Sequence, residues 1–174
     1  MRKELNKRQR REEIKKCFGF ILSCFLLISL IGCSKATVKE QDVEKFIKQY
    51  KIEQYTVTDP NSPPDVSNIE EKVSKYLSKD LQEKHHLNRL FQIAPEISKK
   101  TKKSIELEDV ELKKVNENND GTINYHYTVK IKFYDEQASN VVEKKGDLTI
   151  SKNDELKIIQ ENEERDTKIG NEIF

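Results

Sequence analysis

Three histidines and six tyrosines are the side chains of this sequence best suited to moving a proton. His85 and His86 are neighbours, so on a helix they diverge by about 100°. A helical metal pair needs a spacing of four. Glu83, His86 and Asn88 make only a forced ligand set, so a solvated helix surface is expected for this segment. His126 lies in a run of strict alternation and shares its polar side with Asn124, Thr128, Lys130 and Lys132. A base there would need a pocket; a surface or groove position is the plainer expectation. Tyr125 and Tyr127 take the opposite side, with Ile123, Val129, Ile131 and Phe133. Tyr125, His126 and Tyr127 are therefore the candidate pocket residues. Proton abstraction beside such tyrosines would need a buried carboxylate of raised pKa. The stripe holds no acid, and Asp135 and Glu136 fall in a turn. These aromatics are expected to be core. No catalytic residue, metal ligand or cofactor is assigned.

Cysteine and glycine chemistry is confined as well. Cys17, Cys24 and Cys33 all lie in the first 33 residues, so a domain after them can form no internal disulfide and no cysteine metal site. Only Gly121, Gly146 and Gly170 follow the leader, too few for a phosphate loop. The net charge of +1 hides an asymmetry: residues 1–32 carry eight basic and three acidic side chains, and the rest carries 24 and 28. The downstream chain is mildly acidic, which excludes the concentrated basic face that nucleic acid needs. Lys99, Lys100, Lys102 and Lys103 could approach anionic lipid or wall polymer, although a solvated lysine loop is the default.

The elements that must position these residues begin with a leader. A basic stretch, residues 1–16, precedes an uncharged apolar run over 17–31. This is the secretory pattern. As a helix, that run spans about 22 Å against a hydrocarbon core of about 30 Å, which is short for a permanent span. It closes on Leu30-Ile31-Gly32-Cys33. These four residues resemble the bacterial lipobox. The resemblance implies that Cys33 takes a diacylglyceryl group with palmitate-type chains and that a peptidase recognising Leu30, Ile31 and Gly32 then cuts before it. Two acyl chains give stable anchoring where one is marginal. The competing reading is an uncleaved signal anchor. Arg10-Arg11 is ordinary leader charge, because Glu12 and Glu13 follow where a twin-arginine signal wants other residues.

After a polar tether, 33–40, one domain is expected over 41–163 and a frayed tail over 164–174. Val43, Phe46, Ile47 and Tyr50 recur with helical spacing. Prolines 60, 63 and 64 mark a loop. Ser67 or Asn68 can cap a second helix bearing Ile69, Val73, Tyr76 and Leu77, and a third is expected over 78–94, with Leu87, Leu90, Phe91 and Ala94 on its apolar face. From residue 104 the period changes to two. Ile105 and Leu107 are out of phase with Val110 and Leu112, which predicts a bulge between them. Asp120-Gly121 closes a turn before the alternating strand 122–134. A third strand holds Val141, Val142, Leu148 and Ile150, with a break expected at Gly146. A fourth covers 156–159, and the acidic segment from Glu161 is expected to fray.

Helices followed by antiparallel strands predict an α+β fold, with N-terminal helices covering one face of a curved sheet of about four strands. The order, and above all the closing strands 104–115, 122–134, 146–150 and 156–160, resembles the cystatin-like or nuclear-transport-factor-2-like cone. That family often carries a Trp in its last strand; this chain has none. The resemblance fixes no function. The expectation is an envelope lipoprotein on the outer face of the cell membrane, acting as a non-enzymatic binding or assembly module with an envelope protein or wall polymer. The alternative is an envelope enzyme or small-ligand carrier that uses the cone cavity.

Overall fold

The computed structural model describes residues 39–153 and 155–164, with the backbone of 168–169 and 172–173. The leader, its lipobox and Cys33 lie outside the described residues.

Helix α1, Glu40–Tyr55, is longer than the apolar spacing suggests. Its buried face starts with Val43, Ile47 and Tyr50 and continues through Lys51, Gln54 and Tyr55. Helix α2, Val66–Ser74, starts after the proline loop, with Asp65 rather than Ser67 or Asn68 at the capping position, and buries Ile69 and Val73. Helix α3, Lys79–Leu87, is capped by Ser78, whose hydroxyl accepts from the Leu81 amide at 3.3 Å.

The third helix does not run unbroken to Ala94. Arg89 takes a left-handed conformation (φ 57°) and reverses the chain into a 3-10 turn, Leu90–Gln92, followed by α4, Ile93–Thr101. The reversal turns Phe91 and Ala94 inward and leaves Leu87 73% exposed. Pro95 neither ends nor kinks a helix. It sits in the first turn of α4, where a missing N–H costs nothing.

The four strands form an antiparallel meander in the order β1 (Ser104–Glu117), β2 (Thr122–Tyr134), β3 (Ser139–Ser151), β4 (Lys157–Glu163). A small separate hairpin pairs β5, Lys168–Ile169, with β6, Glu172–Ile173. The phase slip in β1 is a bulge between Leu107 and Asp109. Strand β3 is continuous through Gly146, so no break occurs there. The six-residue stripe of β2 is buried along its whole length. Apolar members of such a stripe each contribute about 1.5–3 kcal/mol. The helices cover this face, joined by Val110 of β1, Leu148 and Ile150 of β3 and Ile158 of β4. Each sheet edge is pinned by a loop: Val57 bridges to Ile105 on β1, and Leu77 to Ile158 on β4. Such short pairings blunt an edge that would otherwise recruit another strand.

Strand β4 departs most from expectation. It extends to Glu163, so Glu161, Asn162 and Glu163 are strand residues, not the start of a tail. Thr149 pairs with Gln160 but Ile150 pairs with Ile158, leaving Ile159 bulged out. A bulge flips the phase of the residues beyond it. Ile158 faces the core before it; Glu161 and Glu163 face inward after it, toward the helices.

Candidate functional site

The inner face of β4 meets α1 in a buried polar cluster. Lys51 reaches it because residues 43, 47, 51 and 54 follow the helical period of the buried face. Its ammonium lies 2.7 Å from Glu161 Oε1 and 2.6 Å from Glu163 Oε2, and donates to Gln54 Oε1 at 3.0 Å. It also lies 4.6 Å from the centre of the Tyr127 ring and 5.3 Å from those of Tyr50 and Tyr55. Three phenols close the shell. Tyr50 donates to Glu161 Oε2 at 2.6 Å, Tyr55 donates to Glu163 Oε1, and the Tyr127 oxygen lies 3.0 Å from Glu161 Oε1 and 2.8 Å from Glu163 Oε2. Lys144, inward-facing on β3, pairs with Glu163 Oε1 at 3.1 Å.

Two ammonium groups thus face two carboxylates. Burial opposes the charge on Lys51, but Glu161 and Glu163 outweigh it and raise the pKa. Burial also opposes ionisation of Glu163, yet Lys51 and Lys144 hold its carboxyl at about 2, below the ordinary 4.5. Burial lowers the Lys144 pKa, with Glu163 as a partial offset. Tyr50, Tyr55 and Tyr127 are all pushed well above 10, first by burial and then by the carboxylates beside them. At neutral pH these phenols are donors and Glu163 is a weak base. The arrangement combines tyrosines with interior acids, but the carboxyl of Glu163 is lowered, not raised as proton abstraction requires.

Gly146 makes room for this cluster. A Cβ there would lie 2.5 Å from Tyr127 Cζ and 2.6 Å from the Asn162 carbonyl oxygen. The phenol of Tyr127 crosses its cross-strand neighbour Gly146, and only a missing side chain permits that approach. Gly146→Ala should displace Tyr127 and destabilise the domain by about 1–3 kcal/mol. Urea denaturation measures this; an unchanged midpoint would refute the close approach.

A cavity of about 230 Å³ adjoins the cluster. His85, Lys144, Glu161 and Glu163 line it together with Leu90, Ile93 and the polar side chains Lys84, Asn88, Asn162 and Glu164. His85 is buried, correcting the expected solvated position; His86 is exposed and its Nδ1 lies 2.6 Å from Glu70 Oε1. His85 Nε2 lies 3.7 Å from Glu161 Oε2, its ring packs edge-on to Phe91, and burial lowers its pKa.

The three candidate pocket residues are divided. Tyr127 belongs to the interior cluster. Tyr125 is buried in the core, yet with His126 it borders a hollow of about 330 Å³ beside Asn124, Asp147 and Asn162. His126 is on the polar face, and its Nδ1 is in close contact with Asp147 Oδ1 on β3. Lys103 of the lysine run pairs with Asp135 at 3.4 Å. Among the described residues no group of three His, Cys, Asp or Glu could hold a metal ion, and no helix is long and apolar enough to cross a membrane. Lys51, Lys144, Glu161 and Glu163 escaped sequence reasoning, and His85 was expected on the surface. Helical spacing could have found Lys51 and strand parity Lys144; the Ile159 bulge hid the two acids.

A solved structure shares this architecture. An IcmL-like type IV secretion system protein from Legionella pneumophila superposes with a TM-score of 0.54 at 13% identity, over 76% of this chain and 95% of that one. The likeness is one of fold. TraH from the Gram-positive conjugative plasmid pIP501 gives a TM-score of 0.47 at 16% identity, covering 79% of this chain and 100% of that chain. In sequence, penicillin-binding protein 3 of Bacillus subtilis (strain 168) is 30% identical over 76 residues, 44% of this chain. The match spans only 10% of that protein's length. No protein-family model matches the chain.

Proposed function

We propose that this protein is a bacterial envelope lipoprotein, held at the outer face of the cell membrane by diacylglyceryl on Cys33, whose folded domain is a non-enzymatic binding or assembly module. The observation that carries this reading is the leader: a basic start and an apolar run closing on Leu30-Ile31-Gly32-Cys33. Two acyl chains on one cysteine keep a domain stably at a membrane without a spanning helix. The partner is an envelope protein or wall polymer. The names of the similar proteins support that setting, one being a secretion system protein and one a penicillin-binding protein. The cone of the nuclear-transport-factor-2-like family is the reading we favour for the α+β domain, with the helices over the inner face of its sheet. The cluster supports a structural role for its charges: both carboxylates are engaged by Lys51 and phenols, and Glu163 is too weak a base for proton abstraction.

Crosslinking in intact cells tests this. The wild-type protein should incorporate radiolabelled palmitate and crosslink into a discrete species larger than the processed monomer. Cys33→Ser should lose the label and that species together. Recovery of nothing above background from wild-type cells would count against an assembly module. Full labelling of Cys33→Ser would remove the proposed anchor.

A further inference from the structure

On the face of the sheet away from the helices, two rows of side chains run across the strands. Asn116 of β1, Asn124 of β2, Thr149 of β3 and Gln160 of β4 are successive partners in register. His126, Asp147 and Asn162 make a second row, two residues along each strand. Residues two apart share a face, and those between the rows, Tyr125, Leu148 and Glu161, are buried on the other. With strands about 4.8 Å apart and two residues spanning about 7 Å, the platform measures about 14 Å by 7 Å. The hollow of about 330 Å³ lies over it, with Val115, Tyr125 and Leu148 completing its lining. That space equals roughly eleven water molecules at ~30 Å³ each.

The chemistry of this platform differs from that of its surroundings. Charged residues make up 36% of the chain, and farther along the same face lysine meets glutamate, as in Lys130–Glu111 and Lys132–Glu106. The first row carries no charge. Asparagine is disfavoured in strands, yet Asn116, Asn124 and Asn162 all occupy them. Thr149 Oγ1 donates to Asn124 Oδ1 at 2.8 Å, Asn124 Nδ2 to Asn116 Oδ1 at 2.9 Å, and Asn116 Nδ2 to Asn118 Oδ1 at 2.7 Å. This chain holds both amides in place, and each keeps a second N–H and a second lone pair for a ligand. The amides of Gln160 and Asn162 are exposed beside them.

Among the described residues that line the hollow there is no lysine or arginine, and Asp147 is engaged by His126 Nδ1. A charged ligand would shed water without gaining a free counter-charge, which is costly. A sugar hydroxyl both donates and accepts, as a primary amide does. Hydroxyls on neighbouring ring carbons can meet the oxygen and N–H of one amide together. Val115, 51% exposed, offers apolar contact to the C–H face of a ring. An extended peptide would instead seek an unpaired strand edge and side-chain pockets; a sheet face supplies no such edge.

We infer that this platform binds an uncharged saccharide chain, whose ring hydroxyls pair with the amides of Asn116, Asn124, Gln160 and Asn162. The inference rests on the reading of the domain as a binding module and names its wall polymer as a neutral glycan.

Full-length protein, labelled with ¹⁵N and held in phosphatidylcholine nanodiscs, is titrated with the uncharged trisaccharides maltotriose, cellotriose and chitotriose. At least one should shift the backbone amide signals of Asn124, His126, Thr149 and Gln160 saturably and leave those of the helices in place. Trigalacturonate, with a carboxylate on each ring, and N-acetyl-tetraglycine amide, an uncharged peptide, should give no saturable shift there. Replacing Gln160→Ala and Asn162→Ala together removes only exposed groups, so Tm should hold while affinity for the sugar falls about tenfold. None of these outcomes moves the palmitate label or the crosslinked species, which test the proposed function separately. No saturable shift with any of the three sugars, a shift by the peptide or by trigalacturonate as strong as theirs, or undiminished affinity in the double variant would overturn the inference.

Discussion

Lys51→Met should destabilise the domain by about 3–5 kcal/mol, the usual cost of removing one partner from a buried ion pair. On a domain of this size that lowers Tm by on the order of 10 °C or more. The reason lies in what remains. Glu161 and Glu163 stay buried and lose the ammonium that touches both, while Lys144 still pairs with Glu163. Methionine keeps most of the stem packing among Tyr50, Tyr55 and Tyr127, so the loss is one of charge rather than volume. One buried carboxyl in the variant should hold its proton well above the ordinary glutamate range. Its folded pKa then exceeds the unfolded value, so variant stability should rise as pH falls from about 8 to about 5. Adding Glu163→Gln to Lys51→Met should recover much of the loss, because Lys144 can then serve Glu161 in a less crowded site. Thermal unfolding of the wild type and of the single and double variants measures this. A loss below about 1 kcal/mol for Lys51→Met would show that the ammonium is not buried between the two acids.

The wild type should show the opposite acid dependence. Glu163 titrates at about 2 in the fold, against 4.5 for an unperturbed glutamate. A depressed folded pKa gives stability that is complete above the unfolded pKa and is lost as pH falls through the folded value. Stability should therefore drop between about pH 5 and pH 2, by on the order of 3 kcal/mol from this group. At the alkaline end, Tyr50, Tyr55 and Tyr127 have folded pKa values well above 10. Their contribution is full below about pH 10 and is lost as pH rises beyond it, because the unfolded chain ionises first. Urea midpoints from about pH 2 to about pH 11 should trace a plateau with a fall at each end. A flat profile across the acid limb would contradict the ion pairing of Glu163.

Much of this fold can be read from spacing. The β2 stripe is legible because six large residues alternate without interruption, and the β1 bulge because Leu107 and Val110 fall out of phase. The β4 bulge is invisible by the same logic. Ile158 and Ile159 are both apolar, so nothing in the pattern says which one turns inward, and two glutamates near a chain end look like solvated tail. The break at Arg89 is hidden because arginine is no ordinary left-handed residue. That break decides the candidate site, since the reversed chain carries Leu90 and Ile93 to the cavity wall near His85. The divergence of His85 and His86 on a helix is real, but it does not say which of the two faces inward. Lys51 is legible in position but not in role. A lysine on a buried helix face requires an acid opposite, and Glu163 lies 112 residues along the chain and beyond a bulge.

A lipidated cysteine holds this cluster-centred domain outside the membrane in the function proposed above, and the mass of the native amino terminus tests that directly. Protein purified from its own cells, digested and analysed by mass spectrometry, should yield a first peptide that starts at Cys33 and carries a diacylglyceryl group. A peptide that runs unbroken from the leader through an unmodified Cys33 thiol would contradict it.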